Sequence, residues 1–374
     1  MRLILDQSPD ESHLLLMHSD VDLLRTLSEA HGISGHESDV RKLLVAEMPA
    51  EASPETDGNG SVLFRHGSTG PKIMLASHMD EIGFLVQQIT DSGFLKVVPI
   101  GGWWTHSLPS QQVSIKTRSG RYITGIIGTT PPHLLPDSQK NTLMSIESLF
   151  IDVGAESRSE VETELGIRPG DPVAPKTTFI ELEHKGKVAG KAFDNRAGLA
   201  AMIEASRILC AGEHPNILIS AATVQEEVGL RGAKTITSLC QPDCAIILEA
   251  PPADDTPGFP PSESQGKQGN GVQIRLFDPT AITNPALAEL TEKIAIQSGI
   301  PYQLTVRKTG GTDAGALHLA GAGIPCIVLG IPTRYIHSHN GIADLNDYRA
   351  TVSLAVALVR ALATETVKQL TQYL

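Results

Sequence analysis

Segments of strand length alternate with helical patterns through the second half of this chain, and this alternation limits its fold more than any other feature. Apolar strand candidates cover residues 216–223, 244–248 and 325–331, and helical patterns cover residues 196–209, 285–297 and 349–369. Two further helical patterns, at residues 21–29 and 37–48, precede strand candidates near the start of the chain. Strands that alternate with helices are typical of βαβ units. The sequence therefore predicts an α/β fold built on a mixed sheet.

Residues 83–186 show a different pattern of apolar and turn-forming residues. Short apolar runs at residues 84–86, 94–98, 113–116, 122–127 and 179–182 are separated by turn-forming residues, and only residues 159–165 look helical. Closely spaced short strands of this kind indicate a small all-β, barrel-like module. Because the module interrupts the α/β pattern, we predict a discontinuous α/β domain, residues 1–82 and 187–374, with an inserted β domain at residues 83–186.

The charge balance excludes some classes of partner. The chain has 30 Lys and Arg residues against 42 Asp and Glu residues, which gives a formal net charge of −12. Such a chain lacks the basic footprint of a nucleic-acid binder, and anionic membranes would repel it. We therefore expect no nucleic-acid partner and no membrane. Asp6, Asp10 and Glu11 interrupt any signal-peptide pattern in the first 20 residues, so we expect a cytoplasmic protein.

Acidic and histidine residues stand where several apolar strand candidates end. They are His78 and Asp80 after residues 72–77, Asp194 just before a helical pattern, Glu226 and Glu227 after residues 216–224, Glu249 after residues 244–248, and His337 beyond residues 325–331. In open α/β sheets, ligands bind at the carboxyl ends of the strands. We therefore expect these side chains to converge on one crevice.

Each of these side chains, taken singly, has an ordinary structural explanation, because a lone histidine or carboxylate is usually hydrogen-bonded or solvated. Taken together, they would crowd one pocket with like charges, which is costly unless cations neutralise them. Two histidines with three carboxylates suit zinc, cobalt or manganese better than magnesium or calcium. Five protein ligands exceed the number that one open catalytic zinc takes. The set therefore indicates two divalent metal ions with a bridging carboxylate.

The adjacent pair Glu226 and Glu227 suggests a division of roles. Neighbouring side chains on extended or irregular backbone point in different directions, so one can bind metal while the other stays free. A free glutamate beside a metal-activated water is the arrangement that a general base requires. Asp80 lies two residues after His78, where its carboxylate could orient the imidazole ring. A turn or a helix cap explains Asp80 equally well.

Six segments of the chain resemble the M42 family of metallo-aminopeptidases, the group of glutamyl aminopeptidases and tetrahedral aminopeptidases. The segments are SHMDEIG at residues 77–83, GGWW at 101–104, AFDNR at 192–196, VQEEVG at 224–229, GGTDAG at 310–315 and IPTRYIHS at 331–338. Their order and spacing extend over about residues 20 to 370. The resemblance is therefore highly specific.

The resemblance implies a co-catalytic metallopeptidase that removes N-terminal residues from short peptides with two divalent ions per subunit, either zinc or cobalt, with manganese as an alternative. By position in the motifs, the metal ligands that it implies are His78, Asp194, Glu227, Glu249 and His337. It further implies that Asp194 bridges the two ions, that Glu226 is the catalytic base, and that Asp80 is the partner of His78. It also implies that the β insertion is a dimerisation domain and that dimers assemble into a tetrahedral dodecamer.

Glu249 departs from the family pattern, in which aspartate is the commoner residue at this position. Glutamate is one methylene longer, so it changes where the second metal ion can sit. We expect ligation to survive, because related co-catalytic peptidases use glutamate there. The loop that follows also differs, since residues 254–258 continue through Phe259, Pro260 and Pro261. This loop can alter the substrate pocket.

The sequence leaves two other functions open. A polysaccharide hydrolase of the endoglucanase type also needs two carboxylates, but it needs neither the two histidines nor the third carboxylate. The second alternative is an inactive paralogue that still binds metal but has lost activity through Glu249 or the altered loop. The presence of Glu226 and of a complete ligand set favours the aminopeptidase.

Overall fold

A computed structural model describes residues 11–50, 52–140, 142–184 and 186–374. The helices in these ranges are α1 (Glu11–Glu29), α2 (Ser38–Glu47), α3 (Arg158–Glu160), α4 (Phe193–Cys210), α5 (Arg231–Cys240), α6 (Pro285–Gln297), α7 (Ala314–Leu317), α8 (Leu345–Ala361) and α9 (Thr364–Leu370). A π-helical segment, Val161–Leu165, continues α3.

The strands fall into one large sheet, a barrel and one small sheet. They are β1 (Pro54–Thr56), β2 (Val62–His66), β3 (Lys72–His78), β4 (Gly83–Ile89), β5 (Leu95–Ile100), β6 (Gln112–Lys116), β7 (Tyr122–Gly128), β8 (Phe150–Asp152), β9 (Pro172–Pro175), β10 (Ile180–Glu181), β11 (Lys187–Gly190), β12 (Ile217–Thr223), β13 (Cys244–Glu249), β14 (Val272–Asp278), β15 (Ala281–Ile282), β16 (Tyr302–Val306), β17 (Cys326–Gly330) and β18 (Gly341–Asp344).

The large sheet is mixed, and its strands follow the order β1-β2-β12-β3-β13-β17-β14-β15, with β16 paired to β14. The central strands β12, β3, β13 and β17 run parallel to one another. Strands β2 and β14 join this block in antiparallel fashion on its two sides. The central strands are buried along almost their whole length. A parallel sheet covered on both faces requires such continuous apolar strands.

Successive residues of β3 contribute to two different cores. Ile73 and Leu75 belong to the larger core, which includes side chains of α1, α2, α4, α6, α8 and α9. Met74 and Ala76 pack on the opposite face with side chains of α5 and α7. This is the two-residue period of a strand. Helices therefore cover both faces and leave the carboxyl edge of the central strands free to carry polar side chains.

A closed barrel of six antiparallel strands follows the order β4-β5-β8-β7-β6-β9. Its interior is filled by apolar side chains, among them Phe84, Leu95, Ile115, Ile127 and Val173. In the chain, the barrel stands between β3 and α4, both of which pack in the larger unit. The structure thus confirms the predicted α/β fold with a mixed sheet and an inserted β barrel.

The strand predicted at residues 179–182 is shorter than expected and does not belong to the barrel. It is β10, which pairs with β11, and β11 pairs in turn with β18. Phe179 explains this placement, because its buried ring makes an edge contact with Phe193 at 6.0 Å and lies under the guanidinium of Arg25 at 4.7 Å. This segment therefore packs on α1 and α4 instead of closing the barrel.

The single terminal helix predicted at residues 349–369 is wrong, because the chain forms α8 and α9 at an angle of 99°. The C-cap of α8 is Leu362. The buried side-chain amide of Asn216 donates hydrogen bonds to the carbonyls of Val359 and Leu362, at 2.6 and 3.2 Å. These bonds satisfy carbonyls that the helix end leaves free. The bend then places Val367 and Leu370 of α9 against the core.

Within the described ranges, no single helix has both the length and the apolar character needed to cross a membrane, although α8 and α9 taken together as a bent pair do. The predicted lack of a signal sequence concerns residues 1–20, and the first ten of these lie outside the described residues.

Candidate active site

Four neighbouring parallel strands bring the predicted site residues to one edge of the sheet. His78 is the last residue of β3 and Glu249 is the last residue of β13. Glu226 and Glu227 follow the end of β12, and His337 lies in the segment that follows β17. Because β12, β3, β13 and β17 are adjacent and parallel, their carboxyl ends face the same crevice.

The side chains meet there in two groups that share Asp194. The first group consists of His78, Asp194 and Glu249, and the second of Asp194, Glu227 and His337. In each group, one ligand atom from every residue lies within 4.8 Å of the others. His78 Nε2 lies 3.2 Å from Asp194 Oδ1 and 3.8 Å from Glu249 Oε1. His337 Nε2 lies 3.4 Å from Asp194 Oδ2 and 3.2 Å from Glu227 Oε1. The two oxygens of Asp194 thus face different groups.

Asp194 stands at the start of α4, where the dihedral angles of Asp194 and Asn195 are not helical. The side chain of Asn195 holds this turn against the sheet. Its Nδ2 donates to Ser77 Oγ at 3.0 Å and to the carbonyl of Leu248 at 2.9 Å, and its Oδ1 accepts from the amide of Gly198. A Cβ at Gly198 would lie 2.4 Å from the Leu248 carbonyl oxygen, so this close approach requires glycine. Asp194 is therefore positioned relative to both β3 and β13.

Asp80 has a broader set of contacts than the predicted partnership with His78. The Nδ1 atom of His78 lies 3.1 Å from the backbone carbonyl of Asp80 and 3.4 Å from its carboxylate. The fully buried carboxylate accepts hydrogen bonds from Ser34 Oγ at 2.6 Å and from the amides of Glu226 and Glu227 at 3.0 and 3.2 Å. Asp80 therefore fixes the backbone of the two glutamates as well as facing the imidazole.

Gly102 is a contact of the site that the sequence reasoning missed. Its backbone carbonyl lies 2.9 Å from His337 Nδ1, and Gly102 belongs to the loop between β5 and β6 of the barrel. The segment GGWW at residues 101–104 was part of the resemblance, but no role was predicted for it. Its nearness to His337 depends on how the barrel sits on the sheet.

The pKa values of the groups in the crevice are shifted, because several carboxylates lie close together and are buried away from water. Burial raises the pKa of Glu249 to about 8 and that of Glu226 well above its ordinary value. Burial lowers the pKa of His337, but the carboxylates of Asp194 and Glu227 outweigh it and raise this pKa to about 11. The protein alone thus meets the excess of negative charge by holding protons, which is a role that divalent cations fill better.

The donor set fits two such cations. Oε1 of Glu227 and Oε1 of Glu249 are buried without a hydrogen-bond partner in the described chain, although both lie beside a histidine. A buried carboxylate oxygen without a partner carries a large desolvation cost unless a cation or a hydrogen-bond donor pairs with it. Glu226 belongs to neither donor group, so its carboxylate is left free of them.

A cavity of about 380 Å³ opens beside the two donor groups, and Glu226 lines it together with all five predicted ligands. Arg275, Arg307 and Thr312 also line it, and the sequence reasoning assigned none of them. A larger cavity of about 690 Å³ lies where α1 and α2 meet the barrel, and it contains none of the predicted site residues. The smaller cavity is therefore the candidate substrate site, because it adjoins the chemistry.

Comparisons with known proteins agree with this arrangement. The glutamyl aminopeptidase of Lactococcus lactis is 36% identical over 94% of this chain and 99% of that protein. The crystal structure of a TET aminopeptidase from a marine sediment Thaumarchaeota archaeon has a TM-score of 0.91 and 38% identity, over 95% of this chain and all of that one. The TET1 peptidase of Pyrococcus horikoshii, which can assemble into a tetrahedron or a large octahedral shell, has a TM-score of 0.80 and 32% identity, over 91% and 99% of the two chains.

The sequence model of the M42 glutamyl aminopeptidase family matches residues 59–354, a span that contains every residue of the two donor groups. Together with the close relatives in sequence and in structure, this match establishes that the chain belongs to the M42 glutamyl aminopeptidase family.

Proposed function

We propose that this protein is an aminopeptidase that removes N-terminal residues from short peptides with the help of two divalent metal ions. The observation that carries the proposal is the pair of donor groups that share Asp194, with Glu226 beside them and a cavity of about 380 Å³ in front. A shared carboxylate between two histidine-containing groups is the arrangement of a two-metal hydrolase. Membership of the M42 family supports the same reaction class.

In this proposal, His78, Asp194 and Glu249 hold one ion, and Asp194, Glu227 and His337 hold the other. Two imidazoles and three carboxylates suit zinc or cobalt, and manganese is also compatible with them. When bound, such ions supply Lewis-acid activation of water and of the scissile carbonyl group. The longer side chain of Glu249 still reaches the group of His78, since its Oε1 lies 3.8 Å from Nε2.

Glu226 is the proposed general base. Its burial raises its pKa, which makes the carboxylate a stronger base toward the attacking water than an exposed glutamate. It would take the proton from that water and return it to the leaving amine. Asp80 supports this role, because its carboxylate accepts a hydrogen bond from the backbone amide of Glu226 at 3.0 Å. This bond fixes the position of the Glu226 backbone, from which the side chain extends.

We also propose that the protein is a homo-oligomer whose dimer forms through the barrel and assembles further into a dodecamer. The barrel and its loops expose the apolar side chains of Ile126, Leu134 and Leu143, at 41%, 74% and 61% of their full exposure. Exposed large apolar side chains are the kind of surface that a protein partner can cover. Light scattering should give a mass that is a multiple of the 39.9 kDa chain, and a monomer at micromolar concentration would contradict the assembly.

One pair of assays tests the proposed function. The protein is stripped of metal, divided, and reconstituted with zinc, cobalt or manganese, and each sample is assayed on aminoacyl anilides and on a soluble cellulose derivative. We expect hydrolysis of an anilide only when metal is present. We expect no hydrolysis of the polysaccharide, because a glycosidase requires two carboxylates, whereas this site combines its carboxylates with two histidines as metal ligands would be arranged. Hydrolysis of the cellulose derivative would favour the endoglucanase alternative. Metal binding without either activity would indicate an inactive paralogue.

A further inference from the structure

The larger cavity, of about 690 Å³, lies where α1 and α2 meet the barrel, and it shares no lining residue with the candidate substrate site. Its volume is that of a typical ligand pocket. Two acidic side chains line it, those of Glu29 and Asp39, against four basic ones, those of Arg25, Lys42, Lys176 and Lys191. The whole chain has a formal net charge of −12, so this lining has the opposite sign to the chain. The cavity is therefore a candidate site for an anion.

Two of the four basic groups lack an acidic partner. Arg25 and Lys191 each form an ion pair with a glutamate of the chain, at 3.2 and 2.6 Å. Lys176 Nζ donates to the neutral hydroxyl of Thr124 at 2.7 Å, and Lys42 is exposed on α2. Among the residues that the structure describes, no carboxylate lies within ion-pair distance of either lysine. An anionic ligand would supply the missing charge.

The acidic side chains of the lining already hold groups of the protein. Asp39 accepts hydrogen bonds from Lys116 Nζ at 2.6 Å and from the hydroxyl of Tyr122. Glu29 accepts a hydrogen bond from the backbone amide of Phe179 at 2.9 Å. These acids are therefore committed to the contacts between the helices and the rest of the fold, and the two lysines are left to a ligand.

His31 adds an unpaired acceptor to the same cavity. The residue is 6% exposed, and its Nε2 lies 3.2 Å from the carbonyl oxygen of Ser114. Because a carbonyl can only accept, Nε2 carries the proton and Nδ1 keeps a lone pair. Nδ1 is buried, and it has no hydrogen-bond partner in the described ranges. Burial lowers the pKa of His31 to about 4, so the ring is neutral and Nδ1 requires a donor.

A ligand that satisfies both features must carry an anionic group together with an N–H or O–H donor. A simple carboxylate ion has no such donor, and it would fill only a small part of the cavity. A short peptide has both features, in its C-terminal carboxylate and its amide N–H groups. Leu43 and the ring of Tyr122 also line the cavity, where they can contact apolar parts of a peptide.

We propose that this cavity binds a short peptide, with Lys42 and Lys176 facing its C-terminal carboxylate and Nδ1 of His31 accepting a hydrogen bond from a peptide N–H. It is a second peptide site, separate from the candidate active site. The inference goes beyond the proposed function, because it requires neither the metal ions nor the free amino terminus on which an aminopeptidase acts.

The test uses two blocked peptides, N-acetyl-trialanine and its C-terminal amide, in calorimetric titrations of the full chain reconstituted with zinc. Acetylation removes the free amino group, so neither peptide is a substrate of the proposed aminopeptidase. The two peptides share an acetyl group and a backbone and differ in their terminal charge. We expect the acid to bind at least about 5-fold more tightly than the amide, as for partly exposed ion pairs.

Variants assign the binding to the cavity. In the double variant Lys42→Gln and Lys176→Gln, the affinity for the acid should fall to within about 2-fold of that for the amide. His31→Phe should instead weaken the binding of both peptides by about 5-fold, because both lose the same hydrogen bond. The matched control is Lys234→Gln, which removes an exposed lysine on α5 that does not line the cavity. This control should keep both affinities.

The outcomes are independent of peptidase activity. No binding of either peptide, or equal affinities of the wild-type protein for the acid and the amide, would overturn the site. A double lysine variant that keeps the full preference for the acid would also overturn it. If His31→Phe does not fold, the double lysine variant and Lys234→Gln decide. If no anilide is hydrolysed with any metal, the proposed function fails, while the preference for the acid and its loss in the lysine variant still support this site.

Discussion

The imidazole Nδ1 of His337 and the backbone carbonyl oxygen of Gly102 lie 2.9 Å apart, across 235 positions of sequence. His337 belongs to the α/β unit and Gly102 to a loop of the barrel. If Nε2 of His337 binds a metal ion, Nδ1 carries the proton, and this N–H donates a hydrogen bond to the carbonyl of Gly102, which orients the ring. The barrel thereby contributes a backbone contact to the candidate active site.

Trp103 holds the loop that presents this carbonyl. Its Nε1 donates to the carbonyl of Gly83 at 2.9 Å, and its ring stacks on Phe84 at 4.9 Å. We expect Trp103→Ala to weaken zinc binding by about 10-fold or more, as other changes outside the ligands do. Trp104→Ala is the matched control, because the neighbouring ring is 65% exposed, and it should keep the wild-type affinity. Calorimetric titration of zinc into metal-free protein measures both, and equal affinities would remove Trp103 from this role.

The part of the site that could be predicted from sequence is the part that local pattern determines. His78 and Glu249 end apolar strands, and adjacent parallel strands must bring their ends together. The contact with Gly102 could not be predicted, because it depends on the orientation of the barrel. Arg275 was missed for a related reason. Its place on a strand could be predicted, but its place in the lining of the cavity depends on the packing of distant segments. The bend after α8 likewise depends on a distant side chain, that of Asn216.

Asp194→Asn tests the bridge between the two donor groups. Asparagine keeps the size of the side chain, but it removes the charge and replaces one oxygen by an NH2 group, which cannot bind a cation. We expect the metal content after gel filtration to fall from about two ions per chain to one or fewer. Elemental analysis by mass spectrometry measures this content. Asp91→Asn, at a carboxylate that is 98% exposed in the barrel, should retain the wild-type content, and a full content in Asp194→Asn would rule out a bridge.

Glu226→Gln separates catalysis from metal binding. The variant removes the proposed base, while both donor groups remain, since Glu226 belongs to neither of them. We expect kcat for an aminoacyl anilide to fall by about 10²- to 10⁴-fold, the usual contribution of a general base, with an unchanged metal content. The neighbouring change Glu227→Gln should instead lower the metal content. Turnover within a factor of about three of the wild type in Glu226→Gln would assign the base elsewhere.

Glu204 gives the fold a dependence on pH that is separate from the active site. It stands on α4, and burial together with the nearby Asp20 of α1 raises its pKa from the ordinary 4.5 to about 8. The folded state therefore holds a proton that the unfolded chain releases near its ordinary pKa. The resulting stabilisation is fully present below about pH 4.5 and is lost as the pH rises through about 8.

Glu204→Gln should therefore flatten the pH dependence of stability. Glutamine resembles the protonated glutamate and does not titrate. We therefore expect the Tm of the variant to exceed that of the wild type at pH 9 by at least about 1 °C, the shift that roughly 1 kcal/mol gives in a chain of this size. The difference should shrink toward pH 5, where the wild-type carboxyl is protonated. Differential scanning calorimetry of metal-free protein at both pH values measures it. Glu289→Gln, at an exposed carboxylate on α6, should follow the wild-type curve, and parallel curves for Glu204→Gln would show that Glu204 is ionised in the folded state.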